Sequence, residues 1–332
     1  MFFDYIVRRL LIGVFIIFII SIISFFIIQL PPGDYLTTYL AELSAEGQRI
    51  TPAVEQRIDA LRERYGLGDP FHVQYFSWIT GIILRGDFGY SFQWNSPVSA
   101  IIWGRLGLTL TISVSSLFFS WIVAFPIGFY SAVKQYSIPD YIFTFFGFLG
   151  LSIPNFLLAL VLLFLGYQQF GVVFSGLYSS EFAGEPWTRE KFVDFLRHLW
   201  VPVIVLGTAG TAALIRVMRN NLLDELQKPY VMTARSKGLS EFRLLLKYPV
   251  RIAINPFLST VGWMLPFLLS GEIIVGTVLS LPTIGPVLLE SLLGQDMYLA
   301  GSFVFLLGVL TVVGTLISDI LLALVDPRIR YD

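Results

Sequence analysis

Residues 141–180 contain no Asp, Glu, Lys or Arg. No soluble helix or strand needs so long an uncharged run, whereas about 20 apolar residues suffice to cross a bilayer as a helix. The runs 10–30, 106–133 and 297–318 are equally free of charge. Across the chain 55% of residues are hydrophobic and 14% charged, against about a quarter charged in soluble domains. A large soluble protein with buried helices is excluded on this ground. The expectation is an all-α integral membrane protein. A net charge of −1 leaves no nucleic-acid footprint. With no Cys and only His72 and His198, disulfides, thiol catalysis and Cys/His zinc sites drop out. No metal site and no cofactor is expected.

Six spans fit the pattern, over 10–30, 106–133, 141–170, 199–215, 252–279 and 297–325. The first is too long for the apolar core of a signal peptide, and "LPPGD" follows it instead of a small-residue cleavage site. Reading 141–180 as one crossing, with Arg8 and Arg9 in the cytosol, places 13 of the 22 Lys and Arg on the inner side. Two crossings there would turn the basic segment 216–251 outward, against the positive-inside bias. The expected organisation is a tail and first helix over 1–30 and an external segment over 31–105. A five-helix core follows over 106–325, with the cytoplasmic loop 216–251 inside it, and a cytoplasmic tail over 326–332. Pro126, Pro154, Pro202 and several glycines fall inside the spans. They suit either ordinary close helix packing or a bundle that kinks and moves.

In the external segment, "TPAVEQRIDALRERYGLGDP" reads as an amphipathic helix. Thr51 is its N-cap, Pro52 its first helical residue, and Val54, Ile58, Leu61 and Tyr65 recur at helical spacing. "FHVQYFSWITGIILRG" reads as a second helix near the membrane surface, with Tyr75 and Trp78 as interfacial aromatics.

The stretch 229–256, "PYVMTARSKGLSEFRLLLKYPVRIAINP", is basic and amphipathic between two apolar runs. Pro229 can open a helix and Gly238 can close it. A second helix begins near Ser240, with Glu241 at its positive end. Residue by residue, two readings stand: a basic surface loop that only fixes topology, or a short helix that docks into a groove on a cytosolic partner. Topology requires only scattered Lys and Arg, not a Pro start, a Gly stop and a small residue between them.

This stretch resembles the cytoplasmic EAA loop of ABC importer permeases, and most closely that of the oligopeptide/dipeptide/nickel class. "YIVRRLLIGVFIIFIISIISFFIIQLPPGD", "RYGLGDPFHVQYFSWITGIILRGDFGYSF", "GLSIPNFLLA", "LPTIGPVLLESLLGQDMYLAG" and "DPRIRY" resemble segments of the same class, so the likeness covers nearly the whole chain. It implies a coupling helix seated in an ATPase cleft, with Tyr230, Thr233, Ala234, Arg235, Lys237 and Gly238 as the coupling residues. It also implies a second, similar permease, two ATPase subunits and an external solute-binding protein around a chain in the lipid bilayer. Four features depart from the class, one being the motif's closing apolar-Pro, which comes late, at Asn255–Pro256. The acidic residue of the loop is absent, with Met232 and Thr233 preceding Ala234. The external turn is "PTIG" over 282–285 in place of "PGLG", and Gly276 stands where an acidic residue is usual.

The chain has no G-x-x-x-x-G-K-[ST] and no H-E-x-x-H, so it is not expected to be an enzyme. Hydrolysis would fall to the ATPase subunits. Polar residues inside the spans are functional candidates, and Asn155 and Glu272 are the candidates for the substrate path. Asp319, near the inner end, reads as a satisfied interface residue. A self-contained channel or secondary transporter is the alternative, and it calls for repeated halves and paired intramembrane charges. A membrane scaffold would explain the composition but not the short helix. Peptides come first as the cargo and oligosaccharides second, and nickel is disfavoured by the shortage of soft ligands.

The expected orientation is directly testable because the chain has no Cys. A single cysteine at Arg235 should resist a membrane-impermeant thiol reagent in intact cells and react after permeabilisation. Labelling in intact cells would invert the topology.

Overall fold

The structure is a computed structural model that describes residues 2–29, 56, 60, 63 and 68–325. The expected amphipathic helix from Thr51 and the "DPRIRY" tail lie outside the described residues. Helix α1 covers Phe2–Gln29, α2 Phe71–Arg85, α3 Val98–Val133, α4 Ile138–Ser152, α5 Asn155–Phe170 and α6 Arg189–Leu226. Four short helices follow, α7 Pro229–Ser236, α8 Glu241–Lys247, α9 Pro249–Ala253 and α10 Asn255–Ser259, and then α11 Val261–Val278, α12 Ile284–Leu293 and α13 Met297–Val325. A two-residue hairpin pairs β1 (Tyr90–Ser91) with β2 (Ser96–Pro97). Among the described residues four helices are long and apolar enough to cross a membrane, or five if α4 and α5 form one crossing.

Three expected spans differ in detail. The one expected over 141–170 is two helices, bent by 102° between Ser152 and Asn155. Pro154 has no N–H to continue the ladder and holds Ile153 in an extended conformation, φ −85° and ψ 120°. The one expected over 199–215 is the middle of the 38-residue α6, which continues past the apolar run at both ends. The one expected over 252–279 is interrupted into α9, α10 and α11. Its linking residues Ile254 and Thr260 stay right-handed, so helical backbone is carried through each interruption. The helix Phe71–Arg85 forms as expected. Gly86, at φ 64°, ends it in the left-handed conformation, with its N–H on the Ile82 carbonyl.

The chain divides into two compact units. The first comprises Met1–Gly13, Leu108–Pro282 and Leu310–Asp332. Its axis is α6, whose Val201, Val205, Leu206, Leu214, Met218 and Leu222 are buried in the main apolar cluster. Three helices reach α6 through a single turn of small residues, "GTAG" over 207–210. The Ser120 hydroxyl on α3 donates to the Gly207 carbonyl at 2.7 Å. A Cβ at Gly207 would stand 3.1 Å from the Ser116 carbonyl oxygen, and one at Gly210 would stand 2.8 Å from Met264 Cε on α11. Thr208 Cγ2 lies 3.0 Å from the Cβ position of Gly150 on α4. About two turns further on, Gly128 of α3 meets Met218. Close backbone approach of this kind substitutes for the hydrophobic effect, which cannot draw helices together in lipid.

The second unit comprises Val14–Gly107 and Thr283–Val309. Phe25, Tyr75, Trp78 and Phe305 form its aromatic core. The Tyr75 hydroxyl shares a 2.8 Å hydrogen bond with Ser21. Asp296, buried just before α13, accepts from the Ser91 hydroxyl at 2.6 Å and from the Gln93 N–H at 3.2 Å, and its other oxygen accepts the Leu299 N–H. It thus caps α13 and holds the hairpin with one carboxylate. Burial pushes this carboxyl up from the ordinary range, more than the hydrogen bonds lower it.

The small-residue crossing predicts an ordered pair of effects. A Cβ at Gly128 would lie 2.7 Å from Met218 Cβ and 2.9 Å from the Ile215 carbonyl, whereas nothing lies within 4 Å of one at Gly104. Gly128→Ala should destabilise the chain by ~1–3 kcal/mol, and Gly104→Ala should be neutral or mildly stabilising. Thermal unfolding of the detergent-solubilised protein, followed by size-exclusion fluorescence, checks the ranking.

Candidate functional site

The basic stretch folds as a helical corner after the end of α6. Pro229 begins α7 and lacks only an N–H that a first-turn residue does not need. Lys237 caps the helix, and Gly238 follows at φ 76°, the left-handed conformation that a side chain disfavours. Ser240 then precedes α8, with Glu241 in its first turn. Arg235 and Glu241 form an ion pair across the corner, with Nε 2.5 Å from Oε1 and Nη2 3.2 Å from Oε2. Each holds the other's charge, so Glu241 is shifted down and Arg235 up. Both side chains are more than half exposed, so the pair shapes the corner with little stabilisation. Behind it, the Tyr230 hydroxyl donates to the Glu225 carboxylate. Partial burial, reinforced by that carboxylate, moves the Tyr230 hydroxyl well above its ordinary range.

The two faces of α7 are distinct. Val231 and Ala234, three residues apart, are buried with Leu244 and Leu245 of α8, and Phe129, Leu226 and Tyr230 pack around them. Ala234 is only 6% exposed. Ala234 is one of the expected coupling residues. Its side chain instead meets the chain's own core, and its smallness lets α7 lie close against α8. Met232 is 59% exposed, and Thr233, Arg235, Ser236 and Lys237 are exposed on the same outward side. Phe242, at the start of α8, is 67% exposed. Helical spacing alone cannot separate the inward from the outward residues of so short a helix, because either stripe contains one large apolar residue.

The intramembrane candidates are partly brought together. Asn155 is the first residue of α5, directly after the break, and its Nδ2 lies 3.9 Å from the Cβ position of Gly271 on α11. Glu272, the next residue, is 1% exposed. Asp319 lies 3.2 Å from Arg9 in an ion pair, in keeping with a satisfied residue. Two further polar sites were not picked out from the sequence: the Asp296 clamp, and an Asp140–Arg219 pair at 3.4 Å between α4 and α6. Asp140 could have been suspected as the residue three after Ser137, whose hydroxyl accepts its N–H.

Among the described residues no group of His, Cys, Asp or Glu could hold a metal ion. Residues 124–331 match the family described as "Binding-protein-dependent transport system inner membrane component", and residues 2–113 match the corresponding N-terminal family. The chain is 37% identical over 331 residues to the "Oligopeptide transport system permease protein AppB" of Bacillus subtilis (strain 168), covering 98% of this chain and 99% of that one. It is 30% identical to the "Dipeptide transport system permease protein DppB" of Alkalihalophilus pseudofirmus, over 98% of this chain and 99% of that one. It is 31% identical to the "Glutathione transport system permease protein GsiC" of Salmonella choleraesuis, over 99% of each. A helical chain with several apolar crossings, and full-length likeness to these permeases, belongs to the binding-protein-dependent transport family of multi-pass inner-membrane components, as an ABC importer permease of the peptide class.

Proposed function

We propose that this chain is one half of the translocation path of an ATP-driven peptide importer, and that α7 with the start of α8 is its coupling surface. The observation that carries the second statement is the division of α7 into two faces. Val231 and Ala234 fasten the helix to the chain, and Met232, Thr233, Ser236 and Lys237 are left for a cytosolic ATPase subunit, with Phe242 beside them. A helix of eight residues is marginal alone. Fastened on one side and braced by the Arg235–Glu241 pair, it can transmit a push without unwinding. Gly238 turns the chain so that α8 supports α7 from behind. On this reading both termini are cytoplasmic and the segment 31–105 faces outward, towards a solute-binding protein. A second, similar permease completes the path, and two ATPase subunits supply the energy.

Peptides are preferred over oligosaccharides because the full-length relatives are described as oligopeptide, dipeptide and glutathione permeases. Asn155 would line the path at the break between α4 and α5, and Glu272, buried on α11 after Gly271, would back it. Non-helical backbone in a membrane is tolerated where it is covered by protein or lines a water-filled cavity. Selection among peptides falls to the solute-binding protein, so uptake by the reconstituted complex with di- and tripeptides, against a malto-oligosaccharide, tests the cargo. Uptake of the sugar alone would overturn it.

The two faces of α7 predict different failures. Met232→Asp should leave the chain's stability unchanged but lower peptide-stimulated ATP hydrolysis and uptake together, or release the ATPase subunits. Ala234→Trp should overpack the cluster with α8 and cost ~1–3 kcal/mol of stability, with coupling lost as a consequence. Thermal unfolding beside ATPase and transport assays in proteoliposomes separates the two. Normal coupled transport by Met232→Asp would remove the outward face from the docking surface.

A further inference from the structure

A groove of about 320 Å³ lies between α4 and α6, within the first unit and away from the coupling corner. Its floor is aromatic and aliphatic, with Phe143, Phe148 and Leu151. Its rim is polar, with Arg216, Arg219, Asn220 and Asp140. We propose that this groove binds an anionic phospholipid, its phosphate between Arg216 and Arg219 and an acyl chain along the exposed face of α4.

Four observations carry the assignment. The first is charge: two guanidinium groups line the groove against one carboxylate. One oxygen of the Asp140 carboxylate is committed, since Oδ2 accepts the Tyr136 N–H at 2.9 Å and meets Arg219 Nη2 at 3.4 Å. The second is an unmet donor. Arg219 Nε is buried and has no acceptor among the described residues, and leaving a buried charged donor unmet is costly. A phosphate oxygen is the acceptor that a guanidinium fork fits best.

The third observation is level. The apolar run of α6 ends at Ile215, and Arg216 is the first charge after it. Facing it, α4 begins at Ile138, just after the exposed Tyr136, and Tyr141 is also exposed. Tyrosines and arginines at the junction of apolar and polar helix mark the depth of lipid phosphates. The fourth is continuity with hydrocarbon. Phe145, Phe148, Leu149 and Leu151 are exposed on α4, so an acyl chain can leave the groove along an apolar face. Arg216 lies over the Phe148 ring at 5.3 Å, which keeps its charge at the mouth of the groove.

Asp140 refines the lipid class. Its Oδ1 is buried and has no donor among the described residues. A phosphate alone would be repelled there, whereas a hydroxylated headgroup supplies a donor next to its own phosphate. Phosphatidylglycerol offers a phosphate to the guanidinium groups and a hydroxyl donor to Asp140, with a net negative charge, whereas phosphatidylcholine offers the phosphate but no donor, and its cation leaves it without net charge.

The test uses the assembled transporter in nanodiscs of phosphatidylcholine with a minority of phosphatidylglycerol of the same acyl chains. Native mass spectrometry after detergent release counts the lipids retained. The wild type should hold phosphatidylglycerol preferentially, and Arg216→Gln should lower retention about fivefold, the worth of one basic charge at a membrane surface. Arg216→Lys should restore most of it, and Arg216→Gln with Arg219→Gln should abolish the preference. Arg216 stacks only on an exposed ring, so its variant should fold, and an unchanged size-exclusion profile checks this. Equal retention by Arg216→Gln and wild type overturns the site. Displacement of the lipid by millimolar inorganic phosphate also overturns it, because the groove would then take a soluble anion. A photoreactive residue at Phe148 that cross-links to a partner subunit rather than to lipid overturns it as well, since a protein would then cover the groove.

Discussion

The packing of the first unit depends on one turn of α6. At Gly207, Thr208 and Gly210, helices α3, α4 and α11 each come close enough that an added Cβ would meet the neighbouring side chain or backbone. In water such an arrangement would be held by the exclusion of solvent from leucines. In lipid the leucines gain nothing by leaving the acyl chains, so association rests on contact distance and on hydrogen bonds across helices. Both appear here. The glycines remove the spacers, and the Ser120 hydroxyl reaches the Gly207 carbonyl. This explains why large apolar side chains can be left exposed on α1 and α4 while a turn of four small residues organises the centre.

A tightly held axis gives its neighbours freedom to be irregular. The α4–α5 pair is broken by Pro154, and the run from α9 to α11 is interrupted twice, yet both pack against α6 along their length. Freed backbone groups beside a protein surface can be satisfied, whereas the same breaks facing acyl chains would cost several kcal/mol per group. The breaks therefore sit where protein covers them. The same axis continues out of the apolar region and ends beside α7, so a displacement of the corner at Pro229 is delivered to the helix on which the other helices lean. That continuity is the mechanical content of the proposed coupling.

Much of this was readable in advance for a physical reason. Bilayer thickness demands long uncharged runs, and 141–180 declares itself by the absence of charge. Proline and glycine punctuate backbone locally, so Pro229, Gly238 and Ser240 give the start and stop of α7 and the start of α8 without tertiary information. The motifs around 229–256 and at both ends carried the resemblance that full-length relatives bear out. Legibility failed where two segments distant in sequence had to meet. Nothing in "GQDMYLAG" says that Asp296 will hold Ser91, 205 residues away. Nothing in a charge count pairs Asp140 with Arg219.

The sequence by itself determined that the chain lives in a membrane as helices, where its short basic helix begins and ends, and which transport family it belongs to. Each follows from local chemistry: apolar length, backbone-restricting residues and contiguous motif. Only the tertiary structure decided that the segment expected as the third crossing is two helices bent by 102°, and that Ala234 faces inward while Met232 faces outward. A proline permits a kink but does not set its angle, which is fixed by what the two half-helices pack against. Likewise a helix of eight residues has two candidate apolar stripes, and the neighbour it is fastened to selects which becomes core and which stays exposed.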